Sequence, residues 1–468
     1  MSSFEYDYLI LGGGSAGYNA ASLAVKLGMR TAVVDGAETL GGLCILRGCM
    51  PSKALIESAN RMLAMRRAGE FGLSAEKIGA DMAQIQERKK RLIGEFADYR
   101  RGQLESGRFD LIRGMARFVD EHTVEVDGRR IRARAFLLAT GSVIDLLPLP
   151  GLREAGFLDS DGVLELTELP ASVTVLGGGA VAMEYAHFFH AMGCAVHVVQ
   201  RGAQVLRECD ADVANALQAA LAERGVEFYL GTKLQRVERV DGKKRVCFLH
   251  GEAGRFVDSD EIVYCLGRRP NSKGMGLEAA GVELENGYLQ MQATQQTSQA
   301  HIFAAGDVAG PHEIVHVAIQ QAEVATRNAA RRISVLGGEL ETTDYRLLLF
   351  GIFSHPEVAQ VGQTEKQLVE EGRGYRVARY PFADHGKSLL AGEPHGFVKL
   401  LADAASGEIL GGAVVGPHGV ELIHEIVVAM RFRGTAAQLA ATPHYHPTLS
   451  EIWTYPAEEL SEPASGSN

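Results

Sequence analysis

A glycine-rich turn joins a short apolar strand to a helix near the start of the chain, and no other feature limits the fold as strongly. The predicted strand covers residues 6–11, the turn is GGGSAG at 12–17, and a helix is predicted over 18–27. A second strand at 31–34 leads to Asp35, an acid at the end of that strand. Strand, glycine turn, helix, strand and acid together predict a βαβ unit that binds a dinucleotide.

Each glycine of this turn has its own role in such a unit. Gly12 permits the tight turn, Gly14 lets a pyrophosphate approach the backbone, and Gly17 lets the helix pack closely on the strand. The phosphates then lie at the N-terminus of the helix, where unpaired N–H groups and the helix dipole favour anions. The carboxylate of Asp35 is expected to bind a ribose hydroxyl.

The same unit recurs farther along the chain. A strand at 172–176 leads into GGGAVA at 177–182 and a helix through Met192, and a further strand covers 196–199. The glycine positions of the pattern are occupied by Gly177, Gly179 and Ala182. A chain of 468 residues with two such units is expected to be a multidomain α/β protein.

The acid position of the second unit holds Gln200, and Arg201 and Arg207 follow it. A carboxylate at this position would repel a 2′-phosphate, whereas arginines attract one. The second unit therefore favours NADPH over NADH, unless the two arginines are only solvated loop charges.

Two cysteines, Cys44 and Cys49, follow the first unit in the segment GGLCILRGCMPSK at 41–53, and Gly48 directly precedes the second. Thiols at this spacing can close a disulfide if the backbone turns tightly, and a cysteine pair beside a nucleotide-binding unit is typical of redox chemistry. Two dinucleotide sites and a redox pair imply electron flow between two cofactors and a disulfide. We expect a flavin in the first site, because a flavin accepts hydride and also passes electrons to sulfur.

Composition excludes several other classes of protein. The formal net charge of −11 argues against a nucleic-acid partner, which would favour a basic face. No apolar run reaches the ~18 residues that a membrane-spanning helix needs, and the N-terminus shows no secretory signal. Because six cysteines are too few for a disulfide scaffold, we expect a cytoplasmic protein with no membrane partner. The four cysteines outside the pair lack metal-ligand spacing, and no metal site is predicted from them: Cys194, Cys209, Cys247 and Cys265.

With these motifs in place, the chain resembles the FAD-dependent pyridine nucleotide–disulfide oxidoreductases over nearly its whole length. The further matching segments are ATGS at 139–142, GRRPN at 267–271, FAAGD at 303–307, HPEVA at 355–359, VGQTE at 361–365 and PHYHPTLSE at 443–451. The resemblance implies an α/β fold with two Rossmann-like dinucleotide-binding domains, for FAD and NAD(P), and a C-terminal α+β dimerisation domain. It also implies a homodimer.

The resemblance assigns catalytic roles to four residues. Cys44 becomes the interchange thiol that attacks the substrate disulfide, and Cys49 the thiolate closest to the flavin. His446 becomes the acid–base group and Glu451 the carboxylate that orients it, with the histidine supplied by the second subunit. The chemistry suits these residues, because a thiol of pKa about 8.5 needs a base for exchange and an ordinary histidine titrates near neutral pH. Since His446 and Glu451 are five positions apart, a turn at Pro447 must bring them together.

The resemblance also assigns cofactor-binding positions. Lys53 and Glu184 match an ion pair beside the reactive edge of the flavin ring, and Asp307 is expected to bind the ribityl chain of FAD. Gly267 lies at the exit from the nicotinamide domain. The remaining positions that the resemblance assigns to FAD binding are Gly42, Thr140, Gly141 and Gly306.

The order of the motifs predicts how the domains follow one another. The expected domains are an FAD-binding domain at 1–146 with a second, central segment at 271–344, an NAD(P)-binding domain at 147–270, and a dimerisation domain at 345–468. Residues 57–103 are expected to be helical, with the basic residues 89–91 on a solvated face. The polar tail from 461 onwards is expected to be disordered.

The function implied is that of a flavoprotein disulfide oxidoreductase, which moves electrons between NAD(P)H, FAD, the Cys44–Cys49 disulfide and a small dithiol or disulfide. Glutathione reductases carry arginines in the first helix, whereas this chain has NAASL at 19–23. This favours a neutral substrate, such as the lipoamide of the dihydrolipoamide dehydrogenase branch or a lipoyl group on a carrier protein. Large thioredoxin reductases and mercuric reductases need a C-terminal thiol pair, but the last cysteine is Cys265.

Two alternatives stay open from the residues alone. One is an NADPH-dependent reductase of another low-molecular disulfide, similar to glutathione reductase. The other is a flavoprotein redox sensor without turnover, although nucleotide binding alone would need neither the cysteine pair nor the His446–Glu451 pair.

Overall fold

The structure is a computed structural model that describes residues 3–462, so the predicted tail beyond 462 lies outside the described residues. The strands are β1 Tyr6–Leu11, β2 Thr31–Asp35, β3 Asp110–Arg113, β4 Ala116–Asp120, β5 Thr123–Val126, β6 Arg129–Leu138, β7 Ser142–Ile144, β8 Ser172–Leu176, β9 Ala195–Val199, β10 Glu227–Tyr229, β11 Thr232–Val240, β12 Lys243–His250, β13 Ala253–Ser259, β14 Glu261–Tyr264, β15 Arg268–Pro270, β16 Leu284–Glu285, β17 Tyr288–Leu289, β18 Ile302–Ala304, β19 Leu349–Ile352, β20 Glu357–Gly362, β21 Tyr375–Pro381, β22 Phe397–Asp403 and β23 Ile409–Gly416.

The helices, like the strands, are numbered in chain order. They are α1 Ser15–Lys26, α2 Leu43–Leu46, α3 Cys49–Arg66, α4 Met82–Leu104, α5 Leu152–Ala155, α6 Ser160–Leu164, α7 Ala180–Met192, α8 Ala211–Glu223, α9 Val315–Arg332, α10 Glu365–Glu370, α11 Gly386–Leu390, α12 Gly419–Arg431, α13 Ala436–Ala440 and α14 Thr454–Ser461, with 3₁₀ turns at Ala68–Phe71, Phe382–Asp384 and Ser450–Trp453. Among the helices that the structure describes, none combines the length and the apolar character needed to cross a membrane.

Two details of the predicted helical region are wrong. Residues 57–103 are not helical throughout, because α3 ends at Arg66, Gly72 closes the following 3₁₀ turn with a φ of +72°, and α4 begins only at Met82. Lys89 is not on a solvated face, since only 4% of its surface is exposed. It follows Met82 and Gln86 along one face of α4, and both of these residues are also buried.

The chain divides into two compact units. One contains the chain up to Ser52, Glu87–Leu146 and Gly267–Asp344; the other contains Lys53–Gln86, Leu147–Leu266 and the chain from Tyr345 onwards. In the first unit, β3, β2, β1 and β6 are successive parallel neighbours, and β18 pairs with β6 in parallel. The other end of β6 continues into an antiparallel meander with β5 and β4.

Both faces of this parallel sheet are buried. Along β1, Tyr8 and Ile10 contribute to a core with alanines of α1 and α9, whereas Leu9 and Leu11 contribute to a separate core that includes Phe118. Alternation between two buried faces explains why the strand reads as a continuous apolar run in the sequence.

The second unit has three sheets. Strands β10, β9, β8 and β14 form a parallel sheet in that order, β11–β12–β13 form an antiparallel sheet, and β19–β20–β23–β22–β21 form a five-stranded antiparallel sheet. The parallel sheet with α7 repeats the strand–turn–helix–strand order of the first unit. Together the sheets confirm the predicted fold class, with two Rossmann-like α/β parts and a C-terminal α+β part.

A buried lysine links three carboxylates in the second unit. Lys399 on β22 is 1% exposed, and its Nζ lies 2.8 Å from Asp210, 3.0 Å from Asp212 and 2.7 Å from Glu365. These acids are close enough together to hold a cation, but the ammonium group of Lys399 already lies within reach of all three. The cluster therefore connects the start of α8 and the start of α10 to the five-stranded sheet.

The first glycine turn is packed backbone against backbone. A Cβ atom on Gly12, whose φ is +109°, would lie 2.4 Å from the carbonyl oxygen of Ala139. A Cβ atom on Gly17 would lie 1.8 Å from the carbonyl oxygen of Gly12. Only glycine at these positions lets α1 begin directly on the end of β1.

We expect Gly17→Ala to destabilise the first unit and to release bound flavin, because the added methyl group would overlap the Gly12 carbonyl. Overpacking of this kind costs about 1–3 kcal/mol or more in the free energy of unfolding. Gly94→Ala is the matched control, since Gly94 is exposed within α4 and its Cβ position has nothing within 4 Å. Thermal unfolding and flavin content per folded chain measure the effect, and a Gly17→Ala protein equal to wild type in both would contradict the expected overlap.

Candidate active site

The two cysteines of the predicted redox pair lie on either side of a tight turn. Cys44 is in α2, and Cys49 is the first residue of α3. A Cβ atom on Gly48 would lie 3.1 Å from the Cα of Cys44 and 3.1 Å from the carbonyl oxygen of Leu43. The residue before Cys49 thus packs directly on Cys44, which is the backward turn that a disulfide requires. Both cysteines are half-buried and in the dithiol form.

The cysteine segment also lies against the first glycine turn. Gly42 has a φ of +77°, and a Cβ atom on it would lie 2.5 Å from the Cα of Gly14. This close approach holds Gly42, and the start of α2 after it, beside the N-terminal end of α1. The first glycine turn, which is predicted to bind phosphate, and the thiol pair are thereby brought together within one unit.

The other four described cysteines have raised thiol pKa values. Burial raises the pKa of the Cys194 thiol to about 11 and that of Cys209 to about 12. Burial also raises the pKa of Cys265 well above its ordinary value, and that of Cys247 more modestly. Thiols that stay protonated at neutral pH are poor nucleophiles, so these cysteines are unsuited to disulfide exchange.

The first unit fits the phosphates and ribose of a dinucleotide. α1 has no acidic residue in its first turn and no side-chain cap at Gly14, which leaves its first N–H groups for an anion. The carboxylate of Asp35 lies beneath the turn and accepts a hydrogen bond of 2.8 Å from the N–H of Gly13. Because α1 itself contains no acidic residue, none of its side chains would repel a pyrophosphate at this turn.

Hydrogen bonds within the first unit also hold the other residues that are predicted to bind FAD. Asp307 accepts a bond of 2.6 Å from the hydroxyl of Ser142, and Gly306 N–H donates to Gln321 Oε1 at 2.8 Å. Thr140 donates its hydroxyl to the carbonyl of Asn271 at 2.8 Å. Gly141 has a φ of +71° and Gly267 a φ of +130°, so both occupy backbone conformations that favour glycine.

Lys53 and Glu184 form an ion pair inside the second unit. Lys53 Nζ lies 2.7 Å from Glu184 Oε1 and 2.8 Å from Oε2. Glu184 is buried on α7 and also accepts a bond of 3.1 Å from the N–H of Phe353, whose ring lies 4.7 Å from Lys53 Nζ. The predicted pair is therefore formed, and its carboxylate is fixed from two sides.

The second glycine turn repeats the first with two changes. Gly177 has a φ of +116° and Gly179 caps α7 without a side-chain hydrogen bond, but Ala182 stands fully buried where the first unit needs glycine. Gln200 takes the place of the acid: a Cβ atom on Gly178 would lie 2.9 Å from its Cγ.

The two arginines after Gln200 are exposed to solvent. Arg201 donates its backbone N–H to Gln200 Oε1 at 3.1 Å. Arg207 pairs with Glu208 at 2.7 Å, but both side chains are more than half exposed, so the pair is weak and a phosphate can displace it.

His446 and Glu451 are brought together as the sequence predicts. His446 Nδ1 lies 3.0 Å from Glu451 Oε2; the histidine side chain is 80% exposed and the glutamate side chain 12% exposed. His444, the other histidine of this segment, instead bonds to Glu425 at 2.6 Å and to the carbonyl of Thr442 at 2.8 Å.

Two contacts near the predicted site residues, one made by Arg100 and one by His385, do not belong to any sequence motif. The Arg100 guanidinium on α4 lies 4.4 Å from the ring of Tyr18 on α1, and the Tyr18 hydroxyl accepts a bond of 3.0 Å from Arg108. His385 Nε2 lies 3.4 Å from Glu451 Oε1. In both cases the partners are far apart in the sequence, so only the folded chain reveals the contact.

Known proteins share this architecture along almost the full length of the chain. Residues 6–329 match the family "Pyridine nucleotide-disulphide oxidoreductase", and residues 350–457 match its dimerisation domain. Dihydrolipoyl dehydrogenase 3 of Pseudomonas putida is 35% identical over 460 residues, which cover 96% of each chain. Mercuric reductase of Lysinibacillus sphaericus is 32% identical and covers 96% of this chain and 81% of its own.

A solved structure agrees with this relationship. LpdA from Mycobacterium tuberculosis superimposes with a TM-score of 0.87 at 30% identity, covering 97% of this chain and 99% of that one. The match spans both dinucleotide-binding turns, the cysteine segment and the C-terminal His-Pro segment. The chain therefore belongs to the pyridine nucleotide–disulphide oxidoreductases, flavoenzymes that pass electrons between NAD(P)H, FAD and a disulfide.

Proposed function

We propose that the chain exchanges two electrons between NAD(P)H and a small dithiol or disulfide of the dihydrolipoyl type, with Cys44 and Cys49 as the redox pair. The packing of Gly48 on Cys44 beside the first glycine turn carries this proposal. In the oxidative direction a substrate dithiol loses two electrons and two protons, and the Cys44–Cys49 disulfide becomes a dithiol. The first unit would hold FAD, which would supply a carrier for the two electrons; NAD(P)⁺ would take them up with one proton as a hydride, and the second proton would be released.

The roles of the chain's own residues follow from their chemistry. In the reductive direction, Cys44 in the thiolate form attacks one sulfur of the substrate disulfide and releases the first substrate thiol. Cys49 then attacks Cys44, which releases the second substrate thiol and closes the Cys44–Cys49 disulfide; the oxidative direction runs these steps in reverse. Glu451 accepts the Nδ1–H of His446, which leaves Nε2 of the exposed ring as the group that takes or returns the thiol proton. Lys53 and Glu184 would stand beside the flavin ring as a neutralised pair.

We further propose that the His446–Glu451 pair of one subunit serves the cysteine pair of the other. The chain carries the family's dimerisation domain, and an acid–base histidine that is 80% exposed in the single chain supports a partner across a subunit interface. The FAD-binding, NAD(P)-binding and dimerisation roles are proposed for the segments predicted from the sequence. A cytoplasmic location is also proposed, because the cysteine pair must cycle through its reduced state.

Replacement of each cysteine by serine tests the proposed redox pair. In a yellow, FAD-loaded protein, Cys49→Ser is expected to lose the long-wavelength absorbance that a thiolate beside oxidised flavin produces on two-electron reduction. Cys44→Ser is expected to keep this absorbance and to lose disulfide turnover, because only the attacking thiol is missing. Cys247→Ser is the control, since Cys247 lies on β12 of the second unit. An unchanged reduction spectrum in Cys49→Ser would refute the assignment.

For the coenzyme we propose NADPH. The support is Gln200 in place of the acid, together with the exposed Arg201 and Arg207 directly after it. A 2′-phosphate held by a guanidinium gains charge-assisted hydrogen bonds of roughly 1.5–3 kcal/mol each.

Arg201→Ala and Arg207→Ala are expected to lower kcat/KM for NADPH by about tenfold or more and to leave kcat/KM for NADH unchanged, because only NADPH carries the 2′-phosphate. Arg236→Ala is the matched control, as Arg236 is an exposed arginine on β11 that pairs with Glu238. A wild-type enzyme that prefers NADH, with the same preference in Arg201→Ala, would show that these arginines are surface charges only.

A second candidate function is reduction of a low-molecular disulfide that carries an anionic group, and Arg100 is the observation that favours it. Arg100 Nε and Nη1 are buried and make no hydrogen bond with any of the described residues. Burial lowers the pKa of Arg100, whereas Tyr18 and Cys44, in their ionised forms, would raise it, so the guanidinium lies close enough to Cys44 to stabilise a thiolate there. A buried guanidinium with unsatisfied donors is suited to a carboxylate.

Arg100→Gln is therefore expected to raise KM for glutathione disulfide by roughly tenfold or more, through loss of a charged hydrogen bond. KM for lipoamide, which is neutral, is expected to stay the same. Arg101→Gln is the matched control, because Arg101 is the next residue of α4, is 54% exposed and pairs with Asp98. Equal changes for both substrates in Arg100→Gln would argue against the anionic substrate.

A further inference from the structure

Glu451 faces a second histidine in addition to His446. His446 Nδ1 lies 3.0 Å from Glu451 Oε2, whereas His385 Nε2 lies 3.4 Å from Glu451 Oε1. The two oxygens of one carboxylate are thus directed at two different imidazole rings.

The two rings lie in opposite environments. The side chain of His446 is 80% exposed, whereas that of His385 is 0% exposed. The backbone of His385 is held on both sides: its N–H donates to Phe382 at 3.1 Å, and its carbonyl accepts from Leu389 at 3.1 Å. The ring of Tyr455 packs edge-on to the imidazole, with the ring centroids 6.3 Å apart. His385 is therefore a fixed group behind the carboxylate.

The hydrogen-bond partners determine which nitrogen of His385 carries the proton. Burial lowers the pKa of His385, which favours the neutral ring with a single N–H. Nδ1 lies 2.8 Å from the hydroxyl of Ser388, which can donate, whereas an ionised Glu451 can only accept. The arrangement that satisfies all three groups has Ser388 donating to Nδ1 and the Nε2–H of His385 directed at Glu451.

The carboxylate of Glu451 is the acceptor that this N–H can reach. His385 Nε2 is enclosed, and it makes no hydrogen bond of good geometry within residues 3–462. At 3.4 Å the contact with Glu451 is longer than a good hydrogen bond, so a small shift of the carboxylate towards His385 satisfies a buried donor. The same shift fixes the plane of the carboxylate relative to His446.

We propose that His385 is a positioning residue for catalysis: its Nε2–H holds one oxygen of Glu451 so that the other oxygen keeps His446 in the orientation of a base. This inference rests on the proposed function, in which His446 and Glu451 are the acid–base pair. A carboxylate with a single partner can rotate about its terminal bond, whereas a second donor fixes that rotation.

Variants of His385 test the proposal in the FAD-loaded dimer. His385→Leu removes the donor and is expected to lower turnover of lipoamide by about 10–100-fold, the usual effect of removing a group that orients a catalytic residue. Reduction of the flavin by NADPH or NADH in a single turnover is expected to stay the same, because Lys53, Glu184 and the glycine turns are untouched. His385→Gln retains an N–H near the position of Nε2 and is expected to restore most of the lost turnover.

His444→Leu is the matched control. His444 lies two residues from His446 and loses a contact of 2.6 Å with Glu425 when it is replaced, but it does not hold Glu451. We expect wild-type disulfide turnover in this variant. Its result separates a general effect of cavities in the dimerisation domain from an effect on the carboxylate.

Several results of these measurements would overturn the positioning role of His385. Equal losses of flavin reduction and disulfide turnover in His385→Leu, or no rescue by His385→Gln, would overturn the positioning role and leave a structural one. Wild-type turnover in His385→Leu would overturn it as well. His446→Ala is measured alongside. If His446→Ala retains lipoamide turnover, the proposed acid–base pair itself is refuted. If His446→Ala loses turnover while His385→Leu remains active, only the positioning role of His385 is refuted.

Discussion

Contacts between glycine backbones fix where the elements of the first unit lie. Gly12 lies against the carbonyl of Ala139 at the end of β6, and α1 begins directly on the turn because Gly17 has no side chain. Gly42 in turn lies against Gly14, so the cysteine segment depends on the same turn for its position. The anion-binding end of a helix and a pair of thiols are therefore held together by approaches that any side chain would prevent.

In the second unit, ionised groups are held by more than one partner each. Glu184 accepts from both Lys53 and the backbone of Phe353. Glu451 faces His446 and His385 with different oxygens. Lys399 pairs with three carboxylates at once. A buried charged side chain with a single partner can still rotate, and its charge is only partly compensated. Contacts with two or more partners therefore fix both its orientation and its charge state.

The sequence predicts the parts of the molecule that depend on local pattern. β1 and β8 have the predicted bounds, because consecutive buried residues, which point to both faces of the sheet, end at a glycine turn in each case. The break between α3 and α4 was missed, since it depends on Gly72 in a left-handed conformation within an otherwise helical, charged stretch. The burial of Lys89 was missed for a related reason. Its charge predicts exposure, but its position on the packed face of α4 buries it.

The same distinction applies to the candidate site. The approach of His446 to Glu451 was predictable because both residues belong to one short segment. Arg100 beside Tyr18, and His385 behind Glu451, join segments that are far apart in the chain and carry no recognisable motif. The roles assigned to the cysteines and to the histidine stay predictions, because the resemblance rather than the geometry supplies them.

The two βαβ units differ where their proposed ligands differ. The glycine turns are proposed to contact the pyrophosphate, which every dinucleotide shares, and both units have the turn and a helix without acids in its first turn. They diverge at the residue beneath the turn, where Asp35 bonds to Gly13 but Gln200 stands against Gly178. An enzyme that passes electrons between two different dinucleotides needs this divergence, because identical sites would compete for the same ligand. We therefore expect selection of the cofactor to depend on the residues at the end of the second strand of each unit, Asp35 within β2 and Gln200 directly after β9, and not on the glycines that make both units recognisable.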